Sequence, residues 1–269
     1  MREFFELFTY NFFQKAFLSA MLASISCGIV GTYIVSRRIV FISGGITHAS
    51  FGGIGLAFFL GVNPLMGAVV FAVLAALGIQ FFTQKGDVRE DSSIAIWWSL
   101  GMALGIIFTF ITPGYTPNLM SYLFGNILTV SMSEIWMMLF LDIIVILFFG
   151  LFFRKILYIA FDEEFARAAK IPVTLFNYLL IVIIALTVVF NIRVVGIILI
   201  LSLLTLPQAT ANLLTHNFKY LILLSTLFAF IGTMAGLIIS YYADIPSGAT
   251  IIFTLVVIFG IFRIIRYLR

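Results

Sequence analysis

The sequence predicts an all-α fold, a polytopic integral membrane bundle of about nine transmembrane helices. Two observations predict this class. First, 63% of the 269 residues are hydrophobic and only 10% are charged, whereas soluble domains carry about 25% charged residues. Second, apolar runs of about twenty residues recur along the whole chain, which is the length that a helix needs to cross the hydrocarbon core. Strands of an outer-membrane barrel would be about half as long and would alternate in polarity, so helices are expected.

The apolar runs mark the predicted spans, and an eight-span or ten-span count is the alternative. The spans cover about 12–35, 39–60, 64–82, 92–111, 134–153, 173–190, 194–214, 220–242 and 248–265. No linker or soluble domain interrupts them, so residues 1–269 are expected to form a single transmembrane domain.

The basic residues predict the orientation of these spans, because Lys and Arg concentrate on the cytoplasmic side of membrane proteins. Nine spans place twelve of the fifteen basic residues on one side: Arg37, Arg38, Lys85, Arg89, Arg154, Lys155, Arg167, Lys170, Lys219, Arg263, Arg266 and Arg269. This arrangement predicts an N-terminus outside and a C-terminus in the cytoplasm. It also accounts for the net charge of +4 without an acidic partner, and no nucleic-acid partner is expected.

The second predicted span is rich in glycine and contains His48, one of only two histidines. At helical spacing, its small residues form a stripe that lets two backbones approach closely. An ionisable side chain inside a membrane span is costly, so His48 is either a functional residue or a satisfied structural histidine. The pairs Gly101/Gly105 and Gly232/Gly236 also predict close helix packing, within the bundle rather than at a dimer face.

Residues 161–171 predict a short cytoplasmic helix between the fifth and sixth spans. Asp162 is placed to cap its start, Arg167 and Lys170 lie near its end, and Pro172 stops it. Its apolar face either lies on the bilayer surface or docks on a cytoplasmic protein, and its three acidic residues favour the protein. The sequence has no phosphate-binding loop of the Walker type, so energy from a nucleotide must come through another polypeptide.

Two further residues inside predicted spans invite a functional hypothesis. Asp142 lies in the middle of the fifth span, as part of a transport route or as a buried structural acid bonded to a neighbouring helix. Pro207 should interrupt the seventh span and free backbone carbonyls. The longest loop, residues 112–133, carries no charge and is expected to lie at the lipid surface or to dip into the protein.

Composition excludes several functional classes. The single cysteine, Cys27, excludes an internal disulfide and a thiolate metal cage. No nucleophile is paired with a base, and no zinc-protease spacing occurs, so the chain is not expected to be an enzyme.

Six segments, in this order, resemble the permease subunit of ATP-binding-cassette uptake systems for zinc, manganese and iron(II). The resemblance covers nearly the full length. It rests on residues 37–50 with Arg-Arg and Gly-Gly-Ile-Thr-His-Ala-Ser, and on residues 90–105, 122–127, 161–171, 203–211 and 244–249.

The resemblance implies a function and a set of partners. It implies two permease copies around a central path, two cytoplasmic ATPases, an extracytoplasmic metal-binding protein, and a lipid environment in the bacterial plasma membrane. No permanently bound cofactor is implied: the divalent metal, zinc or manganese first and iron second, is cargo, and ATP binds the partner ATPase only. An iron-chelate or cobalamin permease is the first alternative, and a proton-linked secondary transporter using Asp142 and His48 is the second.

The resemblance also assigns residues. His48 corresponds to the histidine beside the path, and many members have an aspartate four residues earlier, where this chain has Gly44. Asp142 is a second candidate for the metal path. The positions expected to line or gate the path are Gly44, Thr47, Ser50, Pro207, Gln208 and Asp244. Those expected to couple to the ATPase are Phe161, Asp162, Glu163, Phe165, Ala168 and Ala169.

Overall fold

The computed structural model describes residues 9–113 and 127–268. Within these residues every regular element is a helix. In chain order they are α1 (Asn11–Ser36), α2 (Val40–Leu60), α3 (Pro64–Lys85), α4 (Glu90–Ile111), a 3-10 turn (Ile127–Thr129), α5 (Met132–Leu151), α6 (Phe153–Phe161), α7 (Glu163–Ala168), α8 (Val173–Val195), α9 (Ile197–Leu203), α10 (Leu206–Asn212), α11 (Phe218–Ala243) and α12 (Ser247–Tyr267). The all-α prediction is confirmed. Most of the loop 112–133 lies outside the described residues.

Eight of the described helices are long and apolar enough to cross a membrane: α1 to α5, α8, α11 and α12. Their bounds agree with eight of the predicted spans to within a few residues. The seventh predicted span differs, because the apolar stretch Ile197–Asn212 is divided into α9 and α10. The division falls at Leu204 and Thr205, and Pro207 lies in the first turn of α10, where its missing N–H costs nothing. The seventh predicted span is therefore interrupted, as expected, but the break lies just before Pro207 rather than at it.

The described residues within 1–38, 120–153 and 190–269 form one compact unit, and those within 39–119 and 154–189 form another. In the first unit, α1 packs against α5 and α11, and α11 packs against α12. Gly232 and Gly236 lie against Leu255 and Ile251 of α12, so this glycine pair serves packing within the chain, as predicted.

In the second unit, α2 packs along both α4 and α3. Glycines make these contacts close: Gly53 of α2 meets the backbone of Gly67 on α3, and Gly101 of α4 meets the backbone of Ala49. A Cβ placed on Gly105 would lie 2.7 Å from the carbonyl oxygen of Phe51. The small-residue stripe of the second span therefore brings backbones together, as the sequence predicts.

Candidate functional site

His48 lies on α2 in the second unit, among residues that are almost all buried. Its imidazole stacks on the indole of Trp98 from α4, with ring centroids 4.2 Å apart and ring planes within 7°. The ring nitrogen Nδ1 is buried and has no hydrogen-bond partner among the described residues. His48 as a whole is only partly buried, so Nε2 is the candidate ligand atom.

The close approach of α2 and α4 produces this stack. Trp98 lies one turn before Gly101, whose backbone meets that of Ala49, the residue that follows His48. Because no side chain separates the two helices there, a ring from each can lie face to face. The sequence analysis found His48 and the Gly101/Gly105 pair separately, but it did not connect the histidine with Trp98.

Three predicted path residues lie around His48 on α2. Gly44, Thr47 and Ser50 are all buried. The Thr47 hydroxyl donates to the carbonyl of Ser43, and the Ser50 hydroxyl donates to that of Thr47. Both hydroxyl protons are therefore engaged by the helix itself, and only the oxygen lone pairs remain for another ligand.

Asp142 lies on α5 in the first unit and is 2% exposed. Neither carboxyl oxygen makes a hydrogen bond to any residue that the structure describes. The Ser26 hydroxyl is close enough to interact with the carboxyl group, but it points its proton at the carbonyls of Leu22 and Ala23. Ser26 also accepts a hydrogen bond from Asn191 of α8, at 3.3 Å. Asp142 therefore belongs to a buried polar cluster between α1, α5 and α8.

Gln208 follows Pro207 in α10 and is also part of the first unit. Its Nε2 donates to the carbonyl of Cys27 on α1, at 2.8 Å, and to the carbonyl of Leu203 at the end of α9, at 3.1 Å. The side chain thus satisfies a carbonyl that the helix break has freed. Its Oε1 is buried with no partner within the described ranges.

Asp244 lies in the turn between α11 and α12, in a left-handed conformation with φ 53°. Its side chain is exposed. It borders a cavity of about 720 Å³ in the first unit, whose other polar lining residues are Ser240, Tyr241 and Ser247. Ser240 donates to the carbonyl of Ile245 and holds the turn closed. The structure thus places Asp244 at one end of the α11–α12 pair.

The predicted cytoplasmic helix is formed by α7, with α6 before it. Asp162 caps α7 by accepting from the backbone N–H of Phe165, at 2.9 Å, and Glu163 pairs with Arg167 at 2.7 Å. Ala166 is fully buried and anchors the helix. Phe161 and Phe165 are 60% and 51% exposed, and Ala168 and Ala169 are exposed as well. The capping and the apolar face follow the prediction.

One ion pair was missed by the sequence analysis. Glu134 accepts from the backbone of Ser131 in a capping box at the start of α5, and its other oxygen pairs with Arg193 near the end of α8. The Ser-x-x-Glu spacing at 131–134 is the signal for the capping box. The described residues contain no group of three or more His, Cys, Asp or Glu side chains that could hold a metal ion.

Comparison with known proteins decides the family. The family model of the ABC 3 transport family matches residues 9–266. This chain belongs to that family. It is 35% identical over 256 residues to the manganese transport system membrane protein MntC of Halalkalibacterium halodurans, covering 95% of this chain and 88% of that protein. It is 34% identical over 253 residues to the manganese import system permease protein ScaB of Streptococcus gordonii, covering 94% and 91%.

Among solved structures, the chain resembles PsaBC from Streptococcus pneumoniae in complex with Fab. The TM-score is 0.85 at 34% identity, and the match covers 97% of this chain and 94% of that chain. The ABC 3 family member described here is accordingly a multi-pass permease of the bacterial inner membrane. It is not an enzyme, and hydrolysis of ATP belongs to a separate subunit.

Proposed function

We propose that this ABC 3 permease imports a divalent metal ion, with manganese as the first candidate and zinc as the second. The single observation that carries the proposal is His48, a partly buried histidine inside a helix long and apolar enough to cross a membrane, with Nε2 as its candidate ligand atom. The manganese systems to which MntC and ScaB belong by name support the choice of metal.

One imidazole suits brief contact with a transported ion. Imidazole binds first-row divalent metals, and a path must bind its ion weakly enough to release it. Two permease copies related by a twofold axis would bring two such histidines to one path. Gly44 offers no carboxylate to strengthen the site, and Thr47 and Ser50 supply only hydroxyl oxygens.

The remaining predicted path residues divide into two kinds. Gln208 and Pro207 lie at the break between α9 and α10, where Gln208 satisfies the freed Leu203 carbonyl and its own Oε1 is the oxygen that could contact an ion. Asp244 is exposed and suits attraction of a cation at an entrance. We assign Asp142 to helix packing first and to the metal path second, because both of its oxygens are buried.

Energy reaches the permease through α7 in this proposal. The exposed Phe161 and Phe165 form the apolar face, and Glu163 and Arg167 hold the helix in shape. We propose that a cytoplasmic ATPase covers this face and that an extracytoplasmic metal-binding protein delivers the ion. The permease itself would act as a homodimer.

Uptake of manganese tests the proposal. The permease, its ATPase and its binding protein are produced together in a strain that lacks its own manganese uptake. His48→Ala should reduce uptake at least about tenfold, the size of effect expected when a metal ligand or its support is lost. His216→Ala is the matched control, because this second histidine is exposed and its Nδ1 lies 3.3 Å from Asn212 Oδ1 near the end of α10.

Three results would contradict the proposal. If uptake persists in the His48→Ala variant, His48 is not the metal ligand that the proposal requires. Uptake of an iron chelate without uptake of free manganese, zinc or iron would favour the chelate permeases. Uptake in vesicles driven by a proton gradient without ATP would favour a secondary transporter.

A further inference from the structure

We propose that Trp98 is the positioning residue for His48: its indole face holds the imidazole so that Nε2 is presented to the transported metal. The inference rests on the proposed function, and it names what accompanies His48 in place of the carboxylate that Gly44 lacks. The observation is the stack, with centroids 4.2 Å apart and planes 7° from parallel.

A histidine that binds metal is ordinarily oriented through its second nitrogen. That nitrogen donates to a carboxylate, a backbone carbonyl or water, which fixes both the tautomer and the direction of the ring. His48 Nδ1 has no such partner among the described residues, although it is buried. In our proposal, the indole face supplies the orientation that a hydrogen bond supplies elsewhere.

The position of Trp98 is itself held by the helix pair. Gly101 and Gly105 of α4 meet the backbone of α2 at Ala49 and Phe51, so the two ring-bearing backbones cannot shift independently. The indole is 37% exposed, so the stack is not sealed in a core and remains next to accessible space. A fixed backbone with an accessible ring is the arrangement that a positioning residue needs.

The stack also favours the metal-bound ring. A divalent ion on Nε2 withdraws electrons from the imidazole, and an electron-poor ring is attracted to the electron-rich indole face as a cation would be. Trp98 thus gains contact energy with His48 when the metal is bound. A leucine at this position would fill space without that attraction.

Trp97 provides a matched control. It is the preceding residue on α4, yet its indole lies against Gly78 of α3, and its Nε1 is buried. Substitutions at 97 and 98 therefore change the same residue type in the same helix, and only Trp98 touches His48.

The first experiment is a fluorescence titration that leaves Trp98 in place. The chain has three tryptophans, so the full-length permease with Trp97→Phe and Trp136→Phe reports on Trp98 alone. Manganese(II) is a paramagnetic quencher, so we expect manganese chloride to quench the Trp98 fluorescence in a saturable way. This quenching should disappear in the permease that also carries the His48→Ala substitution. Absence of saturable quenching, or the same quenching in His48→Ala, would overturn the inference.

The second experiment measures manganese uptake by the complete transporter. Trp98→Leu should raise the manganese concentration for half-maximal uptake by about tenfold, within the range for lost support of a metal ligand. Trp98→Phe, which keeps an aromatic face, should restore the affinity to within about threefold of the parent, as aromatic faces interchange in such contacts. Trp97→Leu should leave the half-maximal concentration unchanged.

The outcomes separate the two proposals. If His48→Ala leaves uptake intact, the proposed function fails. If His48→Ala abolishes uptake while Trp98→Leu and Trp97→Leu have the same half-maximal concentration as the parent, only the positioning role fails. If Trp98→Phe is as impaired as Trp98→Leu, the indole does something other than present an aromatic face, and the inference is also wrong.

Discussion

Asp142 has a buried carboxyl group, and its surroundings determine whether that group can carry a charge. It lies in the middle of α5, 2% exposed, with no hydrogen bond from the described residues to either carboxyl oxygen. A carboxylate taken out of water without a partner costs several kcal/mol, whereas a neutral acid costs much less. The packing between α1, α5 and α8 therefore accommodates an uncharged side chain best.

A pair of substitutions at Asp142 tests this interpretation. Asp142→Asn keeps the shape without a charge and should preserve folding and manganese uptake. Asp142→Lys forces a charge on the same site and should destabilise the permease by about 3 kcal/mol or more, the insertion cost of a charge at a helix centre. Thermal unfolding of the purified protein, monitored by size-exclusion chromatography, measures the stability of both variants. Manganese uptake by the complete transporter checks the Asp142→Asn variant.

The opposite pattern would assign Asp142 to the metal path. If Asp142→Asn folds with the parental melting temperature but loses uptake, the carboxyl group acts on the ion rather than on packing.

Single residues were predictable where their chemistry is unusual for a membrane span. His48 and Asp142 stand out because an ionisable side chain is rare among apolar residues. Trp98 does not stand out, since tryptophan is common in membrane proteins and its role depends on which residue of another helix faces it. The Glu134–Arg193 pair was missed for the same reason, because the two residues are far apart in the sequence.

At the scale of helices, two glycines of this chain have contrasting surroundings. Gly105 lies where a Cβ would be 2.7 Å from the Phe51 carbonyl oxygen and 2.9 Å from the Phe51 carbonyl carbon, whereas a Cβ on Gly150 of α5 would meet no atom of the described residues within 4 Å. The first glycine permits the contact of α2 with α4. The second has no contact that requires it.

Alanine substitutions at these two glycines should have opposite effects. Gly105→Ala pushes apart two backbones and should lower the free energy of unfolding by about 1–3 kcal/mol, as overpacking does. Gly150→Ala meets open space and should raise it by about 0.5–1 kcal/mol, because alanine favours the helix. The melting temperatures of the two variants, compared in one detergent, check the prediction, which fails if both shift in the same direction.

Helix positions followed from the sequence because the length of an apolar run is set by the membrane itself. The short α7 followed from its capping residues, since Asp162 and the charges at the two ends are local signals. The separation of α9 from α10 was foreseen only as an interruption at Pro207. Its actual place, at Leu204 and Thr205, depends on Gln208 satisfying the Leu203 carbonyl, which is a tertiary contact.

On the scale of the whole molecule, the exposed face of α7 is the feature that points beyond the chain. Phe161 and Phe165 are more than half exposed on a helix whose Ala166 is fully buried. In the proposed assembly this face is covered by the ATPase, so its polarity should decide whether the complex forms.

Phe165→Asp should abolish co-purification of the ATPase with the permease, because it places a charge in an apolar contact. Phe165→Leu should retain the complex, since it keeps an apolar side chain at this position of α7. Because Phe165 is 51% exposed, both variants should elute as folded permease. Co-purification of the ATPase with Phe165→Asp at the parental level would show that α7 is not the docking helix.

The larger organisation was only partly accessible from the sequence. A single membrane domain was predicted, and its family and helical class are confirmed. The division into two compact units was not foreseen, since it depends on contacts between helices distant in sequence, such as α1 with α11. The number of spans, the orientation of the chain in the membrane and the partners stay predictions.

The seam between α2 and α4 has a consequence for movement. Where Gly101 meets Ala49 and Gly105 meets Phe51, backbone touches backbone, so there are no side chains whose rotamers could change to let one helix slide along the other. Close-packed interfaces of this kind resist continuous deformation. If His48 moves in the proposed transport cycle, we expect α4 to move with it and the stacked pair to travel as one piece.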